Sequence, residues 1–230
     1  PNFVREKINT PREVLIKRLD HQIRTIPLLD SAGRLAEVVS RDHIPLRSEG
    51  AVYARARAPV RISFCGGGSD LTDYFAENKG GAAINTTISL YSHATLHLRS
   101  DSKISVQSLD LGETLEAEDL KSSLTQPGPF GLIQAVLRAI NPDFGFELYL
   151  HSDFPMRSGL GGSAVIAAAM LGCFNQFRRD QWDLYEMSEI AYQAERHYLG
   201  VAGGWQDQYA TVFGGFNFME FRMEKNVVHP

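Results

Sequence analysis

The sequence predicts an α+β fold on three observations. Strand-like and helix-like patterns alternate from Tyr53 onward. Three strand patterns, Ile84 to Leu90, Ala94 to Leu98 and Lys103 to Ser108, follow one another as in an antiparallel meander. A fourth, in which Phe146, Leu148 and Leu150 alternate with Glu147 and Tyr149, runs into a glycine-rich turn and an alanine-rich helix.

The first fifty residues read as a separate unit. Thr10-Pro-Arg-Glu13 has the form of a capping box with proline at the first helical position, followed by apolar Val14, Leu15 and Leu19. Ile26 to Leu29 meets the turn signal Asp30-Ser-Ala-Gly33, and Leu35 to Val39 predicts a returning strand. Helix, strand, Asp-x-x-Gly turn and strand make the second half of a CBS repeat, and IRTIPLLDSAGRLAEVVSRDHI resembles one. Paired repeats of that family bind adenine nucleotides or brace a catalytic neighbour. Half a repeat cannot build the usual pocket, so a leftover edge of an upstream domain is the plainer expectation. Charged and small residues from Pro45 to Gly50 suit a linker, which sets the expected boundaries at 1–47, 48–52 and 53–230.

In the larger part, Val60, Ile62 and Phe64 are expected to face one side of a strand, with Arg61 and Ser63 on the other. That strand leaves through Cys65-Gly-Gly-Gly-Ser-Asp70, three consecutive glycines that permit close backbone approach to a ligand. Pro129 to Ile140 predicts a helix with a stripe of Leu132, Ile133, Val136, Leu137 and Ile140. Trp182 to Leu199 predicts another, burying Met187, Ala191, Ala194 and Tyr198 and stopping at Gly200.

The run Pro155-Met-Arg-Ser-Gly-Leu-Gly-Gly-Ser-Ala164 is the most informative of all. Glycines 159, 161 and 162 let the backbone turn its N–H groups inward, and the helix from Ala164 to about Phe177 adds unpaired donors and the positive end of its dipole. Such a cradle suits a phosphate chain, with Ser158 and Ser163 offering hydroxyls to phosphate oxygens or a divalent ion. It also serves as a plain tight connection, and it is not a P-loop, because no lysine follows the last glycine. Glu195 sits in the last helical turn, where the dipole disfavours an anion. It is either a surface glutamate offset by Arg196 and His197 or a carboxylate aimed at an internal cation. Asp207, after Gly203-Gly-Trp-Gln, is a lone acid in a turn, ordinarily a structural one.

Composition bounds the partners. Over 230 residues the net charge is −4, which gives no reason to expect nucleic acid or anionic membranes. A hydrophobic content of 43% with 22% charged residues fits an ordinary globular protein. Cys65 and Cys173 alone exclude a disulfide scaffold and a cysteine zinc site; both lie in apolar stretches and are expected as small buried hydrophobes in a reducing cytoplasm. No apolar run reaches membrane-spanning length and no signal peptide opens the chain.

Three ordered segments resemble the GHMP kinase family: ARAPVRISFCGGGSDLTDYF its sugar-binding motif, PMRSGLGGSAVIAAA its ATP phosphate loop, and AERHYLGVAGGWQDQYATVFGGFNFMEF its metal and catalytic segment. The combination of GGGSD, GGWQDQY and FGGFNF is most similar to the D-glycero-D-manno-heptose 7-phosphate kinases of that family. The resemblance implies an N-terminal domain of the ribosomal protein S5 domain 2-like fold with most of the C-terminal lobe missing, hence an incomplete kinase.

Residue by residue, it implies that Ser158, Gly159, Leu160, Gly161, Gly162 and Ser163 hold the phosphates of ATP. Ser163 and Glu195 would be ligands of Mg²⁺, and Asp207 the base for the sugar hydroxyl, with Arg61 as the cation beside it. Gly67, Gly68, Asp70 and Gly204 would line the sugar pocket. Gly162 departs from the motif, where serine is common, and Gly67 and Gly68 replace the Glu-His of galactokinases, which argues against galactose.

The implied reaction is transfer of the γ-phosphate of ATP to a sugar or sugar-phosphate hydroxyl in the cytoplasm, with an upstream CBS or nucleotidyltransferase domain as an attached partner. L-fucose or another hexose is the alternative acceptor. A nucleotide-sensing CBS protein is the alternative outside sugar kinases. A Rossmann enzyme is disfavoured because GGGSD and GLGGSA lack the G-x-G-x-x-G spacing. Arg55, Arg57, Lys79, Arg157 and Arg196 are the candidate cations for a substrate phosphate.

Overall fold

The computed structural model describes residues 4–10, 14, 15, 18, 25–40, 53–155, 158–178 and 180–230. The chain divides into two compact units, residues 1–50 with 178–181, and residues 51–177 with 182–230.

The smaller unit holds a three-stranded sheet of β1 (Glu6–Lys7), β2 (Thr25–Leu29) and β3 (Leu35–Ser40), in that order. β2 and β3 form the anticipated hairpin, with Ile26 opposite Val39. Its turn is held by Asp30, whose Oδ1 accepts the backbone N–H groups of Ala32 at 2.8 Å and Arg34 at 2.9 Å. β1 adds a short parallel edge to β2. Leu15, Ile26, Leu28 and Val39 make the core. The expected capping-box positions 11–13, Leu19 and the linker at 45–50 lie outside the described residues.

The larger unit is built on β4 (Tyr53–Cys65), β5 (Gly81–Leu98), β6 (Ile104–Ser108), β7 (Glu113–Ala117), β8 (Phe146–Ser152), β9 (Phe216–Phe221) and β10 (Val227–His229). The order along the sheet is β10-β9-β5-β8-β6-β7, with β4 paired to β5.

The expected separate strands at Ile84–Leu90 and Ala94–Leu98 are one strand of 18 residues, β5. Nothing at Tyr91-Ser-His93 supplies turn chemistry, and β4 lies along one edge from His97 to Ile84 while the other edge is shared between β9 and β8. The meander is also corrected: β6 runs parallel to β8, with Val106 opposite Leu148, and does not pair with β5.

The helices are α1 (Thr72–Glu77), α2 (Leu120–Ser123), α3 (Gly131–Ile140), α4 (Gly162–Asn175), α5 (Leu184–Gln193) with a π turn at Ala194–Tyr198, and α6 (Gln206–Phe213). α4 packs against β4 and β5. Small residues make that close approach possible: Ala164, Ala167 and Ala168 are buried, and a Cβ on Gly172 would stand 2.9 Å from Ala56 Cβ. Cys173 is buried there, its Sγ 3.3 Å from the Ala94 carbonyl, and burial pushes its thiol up to about 11. Cys65, by contrast, is exposed, because it ends β4 just past a register shift.

That irregularity also corrects the alternation. Val60 is fully buried, whereas Ile62 and Phe64 face solvent at 41% and 62% exposure. Bulges between Pro59 and Arg61 and between Ser63 and Cys65 re-aim the end of the strand. Among the described residues no helix is long and apolar enough to cross a membrane.

Candidate active site

The end of β4 and the start of α6 meet at an ion pair. Arg61 donates to Asp207 Oδ1 from Nε at 2.8 Å and from Nη2 at 2.5 Å. Both side chains are largely shielded, at 17% and 29% exposure, so the attraction is screened less than at the surface. Asp207 lies in the first turn of α6, where the helix dipole favours an anion. Thr211, one turn on, donates to the Pro59 carbonyl at 2.7 Å and fixes α6 along β4.

The glycine loop lies against the same carboxylate. A Cβ placed on Gly161 would stand 2.9 Å from Asp207 Oδ2, and Gly161 has φ +72°, so both space and conformation call for glycine. Gly161 also precedes α4 without any side-chain cap, which leaves the first N–H groups of that helix open. Ser158, Gly159 and Ser163 are exposed, while Leu160 packs into the main core. The departure at Gly162 has a local reason: a Cβ there would come within 3.1 Å of the buried Phe154 ring. Met156 and Arg157 lie outside the described residues.

Asp70 ties the first glycine turn to α6. It is buried; its Oδ1 accepts the Gly68 N–H at 2.9 Å and its Oδ2 the Gln206 N–H at 3.0 Å. It thereby caps α6 from 136 residues away in sequence. Gly204 is required by this clamp, since a Cβ would fall 2.0 Å from Asp70 Oδ2. Gly67 remains exposed. Gln206 Nε2 donates to Ser63 Oγ at 2.8 Å, a third tie between β4 and α6.

Glu195 occupies the π turn, and the surface reading is overturned: it is only 2% exposed. The Leu199 N–H donates to the Ala194 carbonyl, an i to i+5 step that rotates the chain by about one residue. The changed register leaves Tyr198, expected on the buried face, 46% exposed, while Leu199 packs against the core. Glu195 Oε2 accepts from Gln208 Nε2. Arg196 offers no charge to it; its guanidinium donates to the carbonyls of Val201 at 3.1 Å and Gly204 at 3.0 Å. Among the described residues, then, Glu195 is a buried carboxylate with no ion-pair partner. Such a group calls for a compensating cation, and a carboxylate plus a hydroxyl from Ser163 are the hard oxygen donors that suit Mg²⁺.

Arg61, Asp207 and Gly161 thus form one cluster, Asp70, Gly68 and Gly204 a second, joined to the first through Gln206, and Glu195 a third, joined through Gln208. No hydrogen bond links Ser163 to Glu195 among the described residues. Of the candidate phosphate cations, Arg57 lies 4.6 Å over the Tyr91 ring and Arg196 is held by carbonyls. Lys79 lines a cleft of about 890 Å³ beside the glycine turn, shared with Arg222, Glu220 and Glu224. Sequence reasoning missed Gln206, Gln208 and Ser63; two amides flanking an acid at a helix start were the available signal.

Residues 129–215 match the GHMP kinases N terminal domain. The chain carries a GHMP kinase N-terminal domain. The matched stretch of that domain contains the glycine loop, Glu195 and Asp207, while Arg61 and Asp70 precede it. Similarity to individual GHMP kinases reaches further along the chain. A D-glycero-alpha-D-manno-heptose 7-phosphate kinase of Campylobacter jejuni is 39% identical over 179 residues, 76% of this chain and 52% of that protein. The crystal structure of a D-glycero-D-manno-heptose 1-phosphate kinase from Bacteroides thetaiotaomicron superposes with a TM-score of 0.69 at 32% identity, covering 78% of this chain and 60% of that one. An L-fucokinase/L-fucose-1-P guanylyltransferase of Bacteroides fragilis is 30% identical over 71% of this chain and 20% of its own length. The chain therefore spans about half the length of the heptose kinases it matches.

Proposed function

We propose that this chain is the phosphate- and acceptor-binding part of an ATP-dependent sugar kinase whose acceptor is a heptose phosphate, D-glycero-D-manno-heptose 7-phosphate first among them. One observation carries the reading. Both bonds from Arg61 land on Oδ1 of Asp207, which leaves Oδ2, the oxygen against Gly161 of the glycine loop, to take the proton of the acceptor hydroxyl.

Phosphoryl transfer asks for positioning and charge neutralisation more than covalent chemistry. In this reading the backbone N–H groups from Ser158 to Ser163 hold the triphosphate. Arg61 orients Asp207 and offers positive charge to the transferring group. Asp70, through its remaining lone pairs, binds the sugar with Gly67, Gly68 and Gly204 around it. Glu195 and Ser163 would hold Mg²⁺, which supplies charge neutralisation on the phosphate oxygens. Free thiols fit the cytoplasm as the compartment. The N-terminal segment is read as the second half of a CBS repeat, so removing residues 1–47 should leave ADP release intact.

The test is a coupled ADP-release panel on the full-length protein with heptose 7-phosphate, heptose 1-phosphate, fucose, galactose and mannose. Turnover is expected with a phosphorylated heptose. The similarity to the L-fucokinase favours a second reading, an L-fucose kinase. Activity with free fucose and none with either heptose phosphate would install it.

A further inference from the structure

Away from these residues, the sheet presents a second group of polar side chains. His93 on β5 and His151 on β8 are cross-strand partners, and Asp153 follows His151 by two residues, so all three project on one side of the sheet. The two imidazoles stack, with ring centroids 5.5 Å apart and planes 11° from parallel. Asp153 reaches both: Oδ2 lies 3.3 Å from His93 Nε2 and Oδ1 lies 3.6 Å from His151 Nε2. One ligand atom from each residue lies within 4.8 Å of the other two.

We propose that His93, His151 and Asp153 bind one divalent transition-metal ion of the zinc type. Two ligands about 2.0–2.1 Å from a tetrahedral zinc stand about 3.3–3.4 Å apart, the separation that His93 Nε2 and Asp153 Oδ2 already have at 3.3 Å. Two imidazoles with one carboxylate select Zn²⁺, Ni²⁺ or Cu²⁺ over Mg²⁺, which prefers oxygen donors. The ligands arise from adjacent, hydrogen-bonded strands, so little ordering remains for the metal to impose.

The carboxylate is itself oriented, as a metal ligand requires. Asp153 Oδ2 accepts the Tyr91 N–H at 3.0 Å, and the Asp153 N–H donates to the Tyr91 carbonyl at 2.8 Å. The Tyr91 amide, with His93 after it, also holds the carboxyl below the usual carboxylate range. Arg57, which faces His93 from β4, has its guanidinium over the Tyr91 ring. β8 continues through Asp153 to the glycine loop, so an ion here would pin the strand end from which that loop departs. None of the three residues belongs to the kinase reading, and the proposal stands without it.

The experiment is a titration of the full-length protein with Zn²⁺ alone, against a chromophoric chelator near neutral pH. One site is expected, weakened at least about tenfold in His93→Ala and in His151→Ala, and unchanged in His97→Ala, a control on the same strand. His93 and His151 are 40% and 51% exposed, so alanine there should leave the fold intact, which circular dichroism checks. No binding by the wild type, or equal binding by wild type and both histidine variants, would overturn the site.

Discussion

Two helices of the larger unit reach the candidate site by different means. α4 is regular over 14 residues, packs small side chains on the sheet, and offers the site only the uncapped backbone of its first turn. α5 begins in a complete capping box, with Asp183 and Glu186 bonded reciprocally, then breaks its ladder at the π turn and offers a buried side chain, Glu195. Recognition by main-chain amides needs an unbroken helix with an open start. Delivery of one carboxylate into the interior comes where the break begins.

The contrast predicts that lesions in the two regions separate stability from chemistry. Met170→Ala, in the fully buried middle of α4, is expected to cost about 2–5 kcal/mol in denaturant unfolding while leaving turnover per folded molecule unchanged. A comparable loss of turnover would erase the division.

Asp207→Asn, on the α6 turn facing α4, should do the reverse. Turnover is expected to fall at least about 10²-fold, some 2.7 kcal/mol in activation free energy, with nucleotide affinity preserved in a fluorescence titration. Near-normal turnover would remove the assignment of the base.

Gln208→Leu sharpens the other half by leaving Glu195 without its amide. If Gln208 orients a metal ligand, the Mg²⁺ concentration for half-maximal activity should rise about tenfold, with the ATP requirement at saturating metal little changed.

The smallest effect lies outside both helices, just past the end of β5. Arg99 holds the Asp101 carboxyl at about 2 by hydrogen bonds from Nε and Nη2. Because the folded value is below the unfolded one, this contribution is present above about pH 4 and is lost as pH falls towards about 2. Thermal midpoints of Arg99→Met should therefore drop less steeply than the wild type across that window.

The regular parts of the larger unit were legible in its residues. The stripe of α3, the alternation of β8 and the glycines of the loop each follow from one local periodicity or one conformational need. What escaped depends on distant partners. β5 is continuous because β4 pairs along it from His97 to Ile84, which Tyr91-Ser-His93 alone cannot reveal. Ile62, Phe64 and Cys65 turn outward at bulges that exist only in the pairing of two strands. Arg61, Asp70 and Asp207 could be linked through family resemblance, yet Gln206 and Gln208 gain their roles only once α6 is set beside β4 and the π turn. Glu195 was ambiguous because it borders the apolar face, four residues after Ala191, yet stands in the last helical turn beside Arg196 and His197.

The π turn has a genetic corollary. Its register comes from the number of residues in the segment, not from their chemistry, so deleting the codon of exposed His197 would move Tyr198 and Leu199 by one position with every group of the site still encoded. Scanning by substitution would pass over that vulnerability, whereas a one-residue indel would expose it.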